Sequence, residues 1–404
     1  MSSISFEIAR HQILEATRPL GLELVTLLDA AGRVMGEPVR APWDMPLFNN
    51  SAMDGFAVRS ADCMAVPVEL KIIGYIPAGG LPEPAVTPGC AVRIMTGAPL
   101  PPGCDAIVPV EETEEATDTV RILKPVASMQ HVRVQGEDVT AGDVIVQAAT
   151  LIRPPEISML ASMGQVTVPV HRRPRVAILS TGDELIELWQ TPQPGRIINA
   201  NSHSLAAAVK ECGAEPVLLG IARDDHQDLL DKLSAGLACD VLITSAGVSA
   251  GDRDMVREVL AELGVRQKFW KVDIKPGRPT AFGVKGKTLV FSLPGNPVST
   301  MVTFEYFVRP ALLKMQGCLV LARPTVTARL LDPEIKKAGR VHFLRVQVKE
   351  VGASLIAASA GDQNTGMLST MVRANGIALL PAERESFAAG EQVEVTLLGP
   401  IVTT

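Results

Sequence analysis

The sequence predicts a multi-domain α/β plus β protein. Its centre is a three-layer α/β/α domain with a doubly wound, mostly parallel sheet, flanked by small β domains and a mixed N-terminal domain. Three observations carry this. Apolar strand-like runs alternate with helical stretches of roughly 10–15 residues between positions 173 and 322, the rhythm of a parallel sheet covered on both faces. Residues 46–139 and 323–404 instead carry short β-type runs broken by Gly/Pro turns. The 404 residues are also enough for roughly two to four separate cores.

Taken in order, Ser5–Ala16 reads as a helix, Leu22–Leu27 as a strand and Ala30–Val34 as a short helical piece. The runs VPVELKIIGYI, CAVRIMTG, AIVPVEET and TVRILKPV then alternate with turns such as PAGGLPEP and PLPPGC. The segment from Gly136 to Gly164 returns to a strand and a helix, with Pro154 and Pro155 near the helix start, where the missing N–H costs little. We therefore expect residues 1–45 and 140–172 to form one mixed α/β domain interrupted by a β-rich insertion, 46–139. The α/β/α domain spans 173–322 and a small β-barrel domain 323–404.

Composition narrows the function. With 47% hydrophobic and 20% charged residues the chain reads as an ordinary globular protein rather than a disordered or fibrous one. A net charge of −6 argues against nonspecific nucleic-acid binding, which needs a basic footprint. The six cysteines show no CxxC spacing and read as reduced thiols. The start lacks a basic region followed by an apolar core, and no apolar run reaches membrane-spanning length. A cytoplasmic protein that binds neither membrane nor nucleic acid is the expectation. The six histidines form no zinc spacing, and Walker A and GxGxxG sequences are absent.

In open α/β sheets ligands bind beyond the C-terminal ends of the strands. Those ends carry Ser180-Thr181-Gly182-Asp183-Glu184, Asp224-Asp225, the loop TSAGVSAGDRD (244–254), Lys275 and Arg278 of KPGRP, and the Pro-Gly-Asn-Pro turn before Ser299. Small-residue loops entering helices cradle phosphate. Carboxylates beside them suit Mg²⁺, which bridges to phosphate oxygens. Taken singly, each acid reads more readily as a helix-start residue that stabilises the dipole. Their shared position at one sheet edge points to an Mg²⁺-using phosphate-ester site.

Eight stretches, in order, resemble one family. They are PLFNNSAMDGFAVRSAD (46–62), VRIMTGAPLPPGCDAIVPVEET (92–113), GEDV (136–139), AILSTGDEL (177–185), GRIINANSHSLAAAV (195–209), ITSAGVSAGDRDMV (243–256), KPGRPTAFG (275–283) and FSLPGNPVSTMVTFEYFVRPAL (291–312). This resembles the molybdopterin molybdenumtransferase family, which includes MoeA and the E domain of gephyrin. The resemblance implies an elongated homodimer that inserts molybdate into adenylylated molybdopterin and releases AMP, forming molybdenum cofactor. It implies that the mixed domain of residues 1–45 and 140–172 serves dimerisation and that the site is shared between subunits, with Asp54, Thr96 and Asp138 of one facing Asp183, Glu184, Asp225 (or its neighbour Asp224) and Asp254 of the other. Glu184, Asp225 and Asp254 are the expected metal side, and Ser245, Gly247, Ser249, Gly251, Lys275, Arg278, Pro294, Asn296 and Ser299 the expected substrate side. A molybdopterin adenylyltransferase and other cofactor-biosynthesis proteins are the implied partners.

The sequence also departs from the family pattern. Asn49 stands where an aspartate is usual, Ala246 where a glycine is usual, and Arg278 where a lysine is usual. The methyl of Ala246 restricts backbone freedom, and Arg278 replaces a point donor with a planar fork. The alternatives these leave open are a paralogue that prefers another oxyanion such as tungstate, or a non-catalytic dimeric scaffold of the gephyrin type. The clustered, mutually repelling acids favour an enzyme over a scaffold.

Overall fold

A computed structural model describes residues 3–246 and 255–403. The chain divides into two compact units, Met1–Gly36 with Ala149–Arg153 and Thr167–Thr404, and Glu37–Ala148 with Pro154–Val166.

The first unit begins with helix α1 (Phe6–Ala16), whose N-cap Ser5 accepts a hydrogen bond from the Ile8 N–H. Its buried residues Phe6, Ala9 and Ile13 share one face at helical spacing. Strands β1 (Leu22–Thr26) and β2 (Thr167–His171) pair antiparallel. The helical piece expected over Ala30–Val34 does not form. Gly32 takes φ 73 in a run of turns, and Val34 forms a bridge to Leu151 instead. Glycine tolerates that left-handed conformation, which ends any helix there.

The α/β region then runs β3 (Arg175–Thr181), α2 (Ala200–Glu211), β4 (Glu215–Ala222), α3 (His226–Gly236), β5 (Val241–Ser245), α4 (Met255–Glu262), β6 (Arg266–Phe269), β7 (Ala281–Lys285), β8 (Thr288–Leu293), α5 (Pro297–Thr303) and α6 (Arg309–Met315). The six strands order as β4-β3-β5-β8-β7-β6. The first four are mutually parallel, β7 pairs antiparallel with β8, and β6 pairs antiparallel with β7. Alternation decides which face each residue covers. Val176, Ile178, Ile243 and Phe291 pack with Leu205 and Val209 of α2 and Val298 and Val302 of α5. Ala177, Leu179, Leu242 and Val290 pack with Leu229 and Leu233 of α3 and Val256 and Val259 of α4. Both faces are therefore dry, which is why the strands read as continuous apolar runs. Truncating Leu242, fully buried, to alanine would cost about 2–5 kcal/mol.

Beyond α6, strands β9 (Thr325–Leu330), β10 (Val341–Val351), β11 (Ser354–Ser359), β12 (Gly376–Leu380) and β13 (Gln392–Leu397) close on themselves, β10 pairing with both β11 and β12. Closure removes the exposed edges that a five-stranded sheet would otherwise carry. The barrel is seated on the α/β region by aromatic packing. Phe6 meets Phe343 edge-on at 5.3 Å, and Phe343 stacks on Tyr306 at 4.3 Å. The Tyr306 hydroxyl donates to Thr396 Oγ1 at 3.0 Å.

One expectation is corrected here. KVDIK, read as a strand end of the central sheet, supplies Ile274–Lys275 to the barrel instead, in parallel register with Val341 and His342. Val272 and Ile274 are buried in the core beneath the sheet, and Pro276-Gly277 turns the chain before β7 begins. Lys275 thus belongs to the seam between sheet and barrel.

The second unit holds a six-stranded sheet in the order Ala106–Pro109, Gly55–Val58, Cys90–Ile94, Val68–Ile76, Thr119–Ile122, Thr113–Glu115. Phe56, Leu70, Val108 and Val120 fill one face and Ala57, Ile76, Val92 and Ile107 the other. Gly55 lies so close to its neighbour that a Cβ there would fall 2.1 Å from the Val108 carbonyl oxygen, which explains a glycine directly after Asp54.

Candidate active site

At the C-terminal ends of β3, β5 and β8 lies a cavity of about 400 Å³. Its lining includes Ser180, Glu184, Asn199, Asn201, Ser245, Ala246, Pro294, Gly295 and Asn296. Parallel strands fed by right-handed crossovers deliver these termini to one edge, where the chain must leave the sheet.

A side-chain network shapes the wall. Asn199 is the N-cap of α2 and accepts from the Ser202 N–H. Ser180 Oγ donates to Asn199 Oδ1 at 2.8 Å, and Asn199 Nδ2 donates to Ser202 Oγ at 2.9 Å. Asn201 Nδ2 donates both to Ser245 Oγ at 2.9 Å and to the Gly295 carbonyl at 2.7 Å, tying three chain segments together. Its Oδ1 is buried with no hydrogen-bond partner among the described residues. Asn199, Ala200 and Asn201 all line the cavity, so the first turn of α2 opens onto it. Free N–H groups and the positive dipole end favour an anion there.

Of the residues expected from sequence, Glu184, Ser245, Pro294 and Asn296 line this cavity together. Ser299 is buried in α5. Asn296 Nδ2 donates to Thr365 Oγ1 at 3.2 Å, reaching the barrel. Asp183 accepts from the Asp224 N–H at 3.4 Å, and its carbonyl accepts from Arg223 Nη1 at 3.3 Å and from Arg196. Asp225 is the N-cap of α3, its Oδ1 accepting from the Asp228 N–H at 2.9 Å. One of its oxygens is thereby committed to the helix. Gly247, Ser249, Gly251 and Asp254 lie outside the described residues.

The KPGRP turn touches two cavities. Pro279 lines the first, while Lys275 and Pro276 line a second of about 170 Å³ with Lys336, His342, Arg345 and Gln363. The turn is held by the Thr280 hydroxyl donating to the Gly277 carbonyl at 2.6 Å, and by the Val272 and Thr280 N–H groups donating to the Arg278 carbonyl. The Arg278 side chain is exposed.

Arg345 is fully buried. Its Nε donates to Thr370 Oγ1 at 3.0 Å, and its Nη2 to the Asp362 and Asn364 carbonyls at 3.1 and 3.2 Å. Its Nη1 is buried with no partner among the described residues. Burial first, then Lys275, Lys336 and Arg340, pull His342 down to about 4. Glu334, also lining the cavity, is pushed up by burial and by Asp332. A small chamber with this excess of donors and positive charge suits a compact oxyanion.

In the second unit, Asp54 Oδ1 accepts from both the N–H and the hydroxyl of Thr96, each at 2.7 Å. These bonds hold the Asp54 carboxyl below its ordinary value. The pair is exposed, as is Asp138, whose N–H donates to the Met45 carbonyl at 3.1 Å. Among the described residues no three His, Cys, Asp or Glu side chains form a metal-holding group.

Sequence reasoning placed Ser180 at a strand end without a role and missed Asn199, Asn201, His342, Arg345 and Thr365. Two signals pointed to some of them. Asn199 and Asn201 open an apolar helix with cap-type residues, and Arg345 interrupts the apolar strand run HFLRVQV.

Fold and site together define an α/β protein with a polar cavity at its strand ends and with β domains attached. Comparison with known proteins gives the family. Residues 4–164 match the MoeA N-terminal region (domain I and II), 177–314 a probable molybdopterin binding domain, and 327–398 the MoeA C-terminal region (domain IV). A Nostoc sp. protein named molybdopterin molybdenumtransferase is 37% identical over 386 residues, 93% of this chain and 88% of its own. A Mycobacterium tuberculosis protein named molybdopterin molybdenumtransferase 2 is 37% identical over 396 residues, covering 95% and 96%. The crystal structure of a molybdopterin biosynthesis MoeA protein from Pyrococcus horikosii superposes with a TM-score of 0.86 at 31% identity, over 99% of this chain and all of that one. The chain belongs to the MoeA family of molybdopterin molybdenumtransferases, enzymes of molybdenum cofactor biosynthesis.

Proposed function

We propose that the protein inserts molybdate into adenylylated molybdopterin and releases AMP. The observation that carries this reading is the pairing of two chambers by one turn. The strand-end cavity, with its helix N-terminus and hydroxyl and amide wall, suits the phosphate ester. The smaller chamber, with Lys275 and the unsatisfied Arg345 guanidinium, suits the tetrahedral oxyanion. Ser245, Pro294, Asn296 and Ser299, with Gly247, Ser249 and Gly251, would hold the ester, and Lys275 and Arg278 would bring cationic charge to the oxyanion. Cleaving a pyrophosphate bond between two such subsites relies on positioning and charge stabilisation rather than a protein nucleophile.

Magnesium of the kind that travels with phosphates needs only one or two carboxylates, its remaining ligands being phosphate oxygens and water. Glu184, in the cavity wall, fits that need, whereas Asp225 has one oxygen occupied by its helix cap. Glu184 would hold Mg²⁺ with Asp225 and Asp254, and the ion would neutralise charge on the phosphates as the bond breaks. We assign the α/β region as the three-layer molybdopterin-binding domain over 173–322. To it we add a mixed dimerisation domain (1–45 and 140–172), the inserted β-rich domain (46–139) and the terminal barrel (323–404).

The assembly we propose is a homodimer working in the cytoplasm, where its unpaired cysteines stay reduced. Asp54, Thr96 and Asp138 of one subunit would complete the strand-end site of the other. Exposed Leu22, Leu24 and Leu28 around β1 support a self-association surface. The ester must be supplied by an adenylyl-transfer reaction upstream. No helix among the described residues is long and apolar enough to cross a membrane.

The test is AMP release from adenylylated molybdopterin by the purified protein. Release that requires both molybdate and Mg²⁺ supports the reading. Release indifferent to molybdate refutes it.

A further inference from the structure

Ala246 combines three observations that the site does not otherwise explain. It adopts φ 76, in the left-handed region that L residues with a side chain rarely enter. It lines the strand-end cavity directly after β5. Its methyl also faces Gly295 so closely that a Cβ on Gly295 would lie 3.1 Å from it. Strain of this kind persists only where the surroundings over-determine it, and it clusters at ligand sites.

The surroundings here are specific. The Ala246 N–H donates to the Leu293 carbonyl at 3.1 Å, holding the end of β5 to the end of β8. Ser245 and Gly295 are bridged by the same Asn201 amide. The methyl therefore fills the gap between two walls already fixed by hydrogen bonds. A glycine would relieve the strain, leave the gap empty and free the backbone at the cavity floor.

We propose that Ala246 is a specificity-determining residue that sets the width of the cavity between the end of β5 and the 294–297 turn, and with it the fit of a nucleotide-type phosphate ester. This rests on the proposed function, since it takes the adenylylated substrate to occupy that cavity. The close approach also explains why position 295 carries no side chain: the space between the walls holds one methyl, not two.

A methyl transfer from one wall to the other tests this. Ala246→Gly is expected to keep or raise the thermal midpoint, because the strained residue is gone. Its KM for adenylylated molybdopterin and its Kd for AMP are expected to rise together by about three- to tenfold with kcat little changed, the sign of lost ground-state fit. Gly295→Ala alone places two methyls in one gap and is expected to impair binding at least as much. The double variant Ala246→Gly/Gly295→Ala restores a single methyl, its new Cβ meeting only the position 246 Cα at about 3.6 Å. It is expected to recover KM to within about threefold of the parent.

An Ala246→Gly variant with parental KM and AMP affinity overturns the inference, as does a double variant no better than the worse single one. A parent protein that turns over normally while the variants fail these expectations sinks this inference alone. A parent that releases no AMP sinks the functional reading, and this inference with it.

Discussion

Arg345 sits mid-strand with apolar neighbours on both sides, and its guanidinium is sealed from solvent. Burying such a charge is costly unless every donor is engaged, yet Nη1 has no partner among the described residues. A guanidinium built this way is expensive for stability alone, which is the physical ground for the proposed oxyanion subsite beside it. Lys275, exposed at the rim of the same chamber, is the safer position for testing this because little else depends on its side chain. Lys275→Ala should raise KM for molybdate by about tenfold or more, the worth of one charge-assisted contact, while leaving the thermal midpoint within about 1 °C. A KM within about twofold of the parent would remove Lys275 from the oxyanion subsite. At this scale the sequence was only half informative. It assigned Lys275 to the wrong sheet, because a five-residue stretch with only two apolar residues does not say which edge it will join. Arg345 was visible as a lone charge in an apolar strand, but what it bonds to depends on the distant residues 362–370.

The strand β10 carries His342 into the same chamber, against the seam strand Ile274–Lys275. Lys275, Lys336 and Arg340 surround it, with Glu334 the carboxylate of that lining, and burial is the leading cause of its low value. The folded protein therefore resists protonating His342 until about pH 4, whereas the unfolded chain takes the proton near 6.5. Between these values the unfolded state binds more protons, so this contribution to stability is complete above about 6.5 and is lost as pH falls toward 4. We expect the thermal midpoint to drop between pH 7.5 and 5 and the slope over that window to flatten in His342→Gln. An unchanged slope would mean that other groups govern the acid limb. Elements with strong local patterns were legible beforehand. Helix α1 appeared one residue inside its expected start, with Ser5 as its cap, and the buried runs of β3, β5 and β8 were evident from their length and apolar continuity. The Ala30–Val34 turn was not, since its end is set by the conformation of Gly32 and by a bridge to Leu151, more than a hundred residues away.

For the whole molecule, the motif order made the family legible in the sequence, and the family domain matches agree with it. Cavity walls were less legible, because a wall is made by segments that meet only after folding: Asn201 joins Ser245 and Gly295 across the sheet edge. The oligomer belongs to this scale as well. Leu24 and Leu28 are 72% and 82% exposed, a poor arrangement for a free monomer surface. Light scattering after size exclusion should give twice the 42.9 kDa chain mass, and Leu24→Glu should shift it toward a single chain. A parent that runs as a monomer would remove the shared-site arrangement. The central claim, that one turn joins an ester cavity to an oxyanion chamber for a single transfer reaction, is tested most directly by AMP release. The purified protein is given adenylylated molybdopterin with Mg²⁺, with molybdate, tungstate or neither added. Coupled chambers predict AMP release that depends on an added oxyanion and stops when Mg²⁺ is chelated. Equal release with and without oxyanion, or none under any condition, would contradict the account.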